Sequence, residues 1–140
     1  MIKHLIKRLL FIFLGHGLAS AASGVVVAIA YQFSIGKIPP LADIPSILFM
    51  ISALIAEFAA PPALLVVLFG EAKSVRNLPC YAAAGCLIGV GIPIYLGMDI
   101  LFHVIGFAFG PVAGAIYWQV AGRNAGWRAT IPAVPNHEAL

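Results

Sequence analysis

The stretch ALIAEFAAPPALLVV, residues 53–67, places one carboxylate, Glu57, among the most apolar residues of the chain. A carboxyl at that depth of a membrane does one of two jobs. Kept protonated, it hydrogen-bonds across helices. Allowed to titrate, it binds a cation or couples a proton to transport. At 1.5 Å rise per residue, Glu57 lies about 18 Å below the outer edge of its segment and Ser20 about 20 Å below the edge of another, whereas His16 lies about 25 Å down. Ser20 is therefore the expected direct partner of Glu57. His16, offset by roughly one and a half turns, joins the group only through water or a bent helix. Low dielectric favours the neutral acid, and no lysine or arginine lies at this level to oppose that.

Other reactive residues form weaker patterns. Asp99 and His103 stand four apart near the start of the last apolar segment, a spacing that fits pairing at a helix N-terminus better than a catalytic dyad. Cys80 and Cys86 share one segment near the side expected to be reducing, so neither a disulfide nor a CxxC metal site follows. His4, His16, His103 and His137 fall at different levels. No glycine-rich phosphate loop ending in lysine, no nucleophile elbow and no paired carboxylates occur, so an enzyme is not expected and neither a metal nor a cofactor is called for.

The elements that position these residues follow from composition. Of 140 residues, 62% are hydrophobic and 9% charged, whereas a soluble domain carries roughly a quarter charged. A chain this small cannot hide that much apolar surface from water. Four charge-poor stretches, about 9–33, 45–69, 78–97 and 100–120, are each long enough to cross a hydrocarbon core of about 30 Å. The alternation of barrel strands is absent, so the expected fold is an all-α membrane protein, a four-transmembrane-helix bundle. It forms one domain over 1–123, with a loose tail over 124–140 in which Trp127 and Arg128 touch the lipid surface.

Basic residues set the expected orientation. With four crossings, Lys3, Lys7, Arg8, Lys73, Arg76, Arg123 and Arg128 share one side and Lys37 alone occupies the other. The positive-inside rule then places both termini in the cytoplasm, with a bacterial inner membrane as the expected compartment. The net charge of +3 serves topology, and no nucleic-acid partner is expected. The first segment imitates a secretory signal, with a basic start and Ala19-Ser20-Ala21. Its apolar run continues through VVVAIAYQF, so it is expected to remain as a helix.

Prolines 61, 62, 93 and 111 interrupt backbone ladders within three spans, and Pro62 leaves carbonyls near residues 57 and 58 without their usual donors. Gly106, Gly110 and Gly114 recur every fourth residue of the last span, and Gly85 with Gly89 answers them in the third. Such rows let helix backbones approach closely where hydrophobicity supplies no drive. Ser20, Gly24 and Ala28 form a further small face.

ALIAEFAAPPALL is similar to the glutamate-bearing helix of the small multidrug resistance transporters, and GVGI at 89–92 is similar to the glycine pair of their third helix. The resemblance implies that an exchanger centred on Glu57 is physically possible. It covers only these two stretches, and it places the acid in the second span where that family carries it in the first. The expected function is accordingly a small structural or accessory membrane subunit acting through helix contacts, alone in lipid, as a homo-oligomer or in a larger membrane complex. The alternative is a small proton-coupled transporter or channel using Glu57.

Overall fold

The computed structural model describes residues 2–36 and 39–126; Lys37, Trp127, Arg128 and His137, named above, lie outside that range. Four helices follow one another: α1, Ile2–Ile35; α2, Ile44–Lys73; α3, Leu78–Tyr95; and α4, Ile100–Val120. All four are long and apolar enough to span a membrane, and no strand occurs among the described residues. The helices run beyond the expected apolar limits at both ends of α1 and at the end of α2, because a helix satisfies its backbone through the interfacial layer as well as through hydrocarbon.

The ends are set by local chemistry. Pro45 and Pro79 occupy the first turns of α2 and α3, where a missing N–H has no helical acceptor to lose and the fixed φ is already helical. Pro61 and Pro62 lie inside α2 without ending it. They withdraw the donors that the carbonyls of Glu57 and Phe58 would otherwise receive. Ser74 ends α2 in the left-handed region, φ 52°, and the Val75 N–H closes the turn onto the Gly70 carbonyl at 2.9 Å. Gly97, φ 63°, does the same for α3, with the Met98 N–H bonded to the Pro93 carbonyl at 2.9 Å. Both closures satisfy carbonyls that the helix leaves open.

Packing is uneven. α3 and α4 make the most extensive contact, α1 packs on both α2 and α4, and α2 meets α3 only narrowly. The neighbour order is therefore α2, α1, α4, α3, with a cleft where the first and last of these face one another. The α3–α4 contact is glycine against glycine. A Cβ built on Gly89 would stand 2.5 Å from the Gly106 carbonyl oxygen, and one on Gly85, Gly106, Gly110 or Gly114 would collide with facing backbone. On α1, Gly15, Ser20, Gly24 and Ala28 are buried, and a Cβ on Gly24 would run into Ser52 of α2.

The chain stays packed beyond the expected start of the loose tail. After α4, a 3₁₀ turn at Gly122–Asn124 leads to Ala125, which like Ala121 is wholly buried. Residues 124–126 thus belong to the bundle.

Candidate functional site

Glu57 stands on the outer surface of the bundle. The α2 face turned to α1 is marked by Ser52, which meets Gly24, by Ala56, and by the buried Ala59. At about 100° per residue, Glu57 is rotated by about 140° from Ser52. It is exposed, and its carboxyl has no hydrogen bond or ion pair among the described residues. Ser20, by contrast, is 5% exposed on the packed side of α1. His16 donates from Nε2 to the Ala56 carbonyl at 3.2 Å, which joins α1 to α2 one residue before Glu57. The structure thus sets Ser20 and His16 into the α1 side of the bundle, and Glu57 away from them. Depth, which the sequence supplied, puts residues on one level; it does not say which way a helix is turned.

The outward face around Glu57 has a defined relief. Ala53 and Ala60, one turn to either side, are exposed, and so are Leu54 at 47% and Leu64 at 56%. The carboxyl rises between two small residues, where a neighbouring helix can come close.

The second polar group was not anticipated from sequence. At the end of the bundle where α1 begins and α2 finishes, Glu71 is 3% exposed and pairs with Arg8, 20% exposed. Arg8 Nε donates to Glu71 Oε1 at 2.8 Å, and a second guanidinium nitrogen donates to the same oxygen. The third Arg8 nitrogen donates to the Ala121 carbonyl at 2.8 Å, and Glu71 Oε2 accepts the Gly126 N–H at 2.9 Å. One carboxylate therefore ties α1, α2 and the segment after α4. It also offsets one unfavourable placement, because an acid in the last turn of α2 opposes the helix dipole.

Around the pair lies a ring of supporting contacts. Arg76 Nε donates to the Ala125 carbonyl at 2.9 Å, and Trp118 Nε1 donates to the Arg76 carbonyl at 2.6 Å. The Tyr81 hydroxyl donates to the Val75 carbonyl at 3.0 Å, in space left by Gly70, where a Cβ would lie 2.5 Å from that oxygen. The Tyr81 and Tyr117 rings meet at 5.6 Å, so α3 and α4 enter the same knot. A sequence signal existed for it. Arg8 and Glu71 are equally far from the connection between two antiparallel helices, and Glu71 has the wrong sign for the end of its helix.

Asp99 and His103 interact through the backbone: His103 Nδ1 meets the Asp99 carbonyl oxygen at 3.0 Å. This is a first-turn contact at the start of α4. Cys80 and Cys86 are unpaired.

No protein family, curated protein or solved structure matches this chain. Function therefore rests on the geometry of the bundle.

Proposed function

We propose that this small polytopic membrane protein acts as a subunit that works through helix contacts, and that the α2 face centred on Glu57 is its assembly surface. The observation that carries this reading is the carboxyl in the middle of a span, exposed and without a partner among the described residues. A polar group facing hydrocarbon is costly, and neighbouring protein supplies the hydrogen bond that lipid tails cannot. Ala53 and Ala60 admit that neighbour to close range. Within the chain, the glycine rows at 85, 89, 106, 110 and 114 serve as the packing motif of α3 and α4, and this leaves α2 the helix with most surface to offer. We further propose both termini in the cytoplasm, a reading that rests on the basic residues Lys3, Lys7, Lys73, Arg76 and Arg123 on one side, and a bacterial inner membrane as the compartment.

The test is residue-specific crosslinking in native membranes. In a background lacking Cys80 and Cys86, Ala53→Cys and Ala60→Cys are expected to crosslink to a second polypeptide, while Val104→Cys on the exposed side of α4 does not. Glu57→Gln keeps a hydrogen-bonding group and preserves the crosslinks. Glu57→Leu weakens assembly by about threefold to thirtyfold, the range for an interhelical hydrogen bond of roughly 0.6–2 kcal/mol. Equal crosslinking at 53, 60 and 104 overturns the assignment. A Glu57→Gln protein that assembles yet loses proton-dependent flux replaces it with the transporter reading.

A further inference from the structure

The cleft between α2 and α3 is an apolar groove of about 360 Å³, lined by Leu65, Phe69, Val75, Cys80, Tyr81 and Ala84. It lies at the end of the bundle where α2 finishes and α3 begins, beside Lys73, the last residue of α2, and Arg76 of the following loop. The only polar group that its named side chains contribute near the rim, the Tyr81 hydroxyl, is already bonded to the Val75 carbonyl. The groove floor is thus apolar, and two cations flank its lining in sequence: Lys73, one turn beyond Phe69 and Gly70 on α2, and Arg76, next to Val75, whose Nε also donates to the Ala125 carbonyl. The one ion pair among the described residues is Arg8 with Glu71, which neutralises the sole acid near the loop and leaves the exposed Lys73 and Arg76 without a carboxylate partner.

We propose that this groove is a binding site for one anionic phospholipid, with an acyl chain between α2 and α3 and the phosphate against Lys73 and Arg76. Two observations carry this together. The groove is apolar and lies between two helices long enough to span a membrane, and an open apolar cleft forfeits contacts that an acyl chain restores. Lys73 and Arg76 are exposed beside that lining and carry no carboxylate partner among the described residues, and a basic residue at the membrane surface attracts anionic headgroups. The site is independent of the Glu57 face, which lies elsewhere on α2, and it does not rest on the assembly reading.

Cys80 lines the groove and is exposed, so the native chain carries its own reporter. The full-length protein in detergent is treated with a small thiol reagent, and modification of Cys80 and Cys86 is resolved by peptide mass spectrometry. Added phosphatidylglycerol is expected to slow Cys80 modification saturably. Phosphatidylcholine at the same concentration does so much less, and soluble glycerol phosphate does not. Lys73→Gln, and separately Arg76→Gln, each raise the half-saturating phosphatidylglycerol concentration about fivefold, the equivalent of roughly 1 kcal/mol per basic residue. Ala84→Trp, which fills the groove, removes saturable retention of phosphatidylglycerol in native mass spectrometry. Equal protection by phosphatidylcholine overturns the headgroup assignment, and no protection by either lipid overturns the site. Protection that grows with protein concentration in lipid-free detergent assigns the groove to a second chain instead.

Discussion

The sharpest consequence of the structure concerns Arg8 and Glu71. Replacing Glu71 with leucine removes the one oxygen that accepts both Arg8 donors and the other oxygen, which accepts the Gly126 N–H. Arg8 then keeps only the Ala121 carbonyl. Breaking a buried pair costs roughly 3–5 kcal/mol because the surviving charge is stranded. Arg8 is 20% exposed and recovers some solvation, which points to the lower end, about 3 kcal/mol. Arg8→Met strands a carboxylate that is 3% exposed, which points to about 4 kcal/mol. The double variant strands neither charge, and apolar replacements of a buried pair are often close to neutral, so it is expected to cost no more than about 2 kcal/mol. The two single losses therefore do not add, and the cycle shows a coupling of several kcal/mol. Reversible unfolding in mixed micelles at increasing dodecyl sulfate fraction, followed by tryptophan fluorescence, measures all four proteins. A loss of 3 kcal/mol lowers the folding equilibrium constant about a hundredfold, at roughly 1.4 kcal/mol per decade. A coupling below about 1 kcal/mol, with losses that add, would refute the idea that this pair holds the bundle end together.

Two further outcomes follow from the backbone. Gly89→Ala places a methyl group 2.5 Å from the Gly106 carbonyl oxygen and is expected to cost about 1–3 kcal/mol in the same unfolding assay, whereas Gly91→Ala, with open space around it, costs nothing; equal effects would show that α3 and α4 do not depend on glycine contact. Ser74 holds φ 52° at the end of α2, a conformation that costs an L-residue roughly 1–2 kcal/mol, so Ser74→Gly is expected to raise stability by up to about 1 kcal/mol and Ser74→Val to lower it.

Four spans were readable from sequence because hydropathy over about twenty residues is a one-dimensional property, decided by the thickness of the bilayer and not by neighbours. The stretch expected at 100–120 coincides with α4, Ile100–Val120, and α3 begins at the expected Leu78. A period of four residues stays on one face of a helix whatever that face meets, so the glycine rows could be recognised as rows without knowing their neighbours. Which way each helix turns was not legible. In a soluble helix the apolar stripe marks the core, but in α2 both the packed face with Ala59 and Val67 and the outward face with Leu54 and Leu64 are apolar. Lipid and protein interior attract the same side chains, so only packing decided that Glu57 points out and Ser20 in. Glu71 was missed for another reason. In GEAKSVRN it reads as one polar residue of a solvated break, and its burial comes from Arg8, 63 residues away, and from Gly126, which returns after the last helix. A carboxylate and a guanidinium recognise each other over a few ångströms, and only the folded chain brings those ends together.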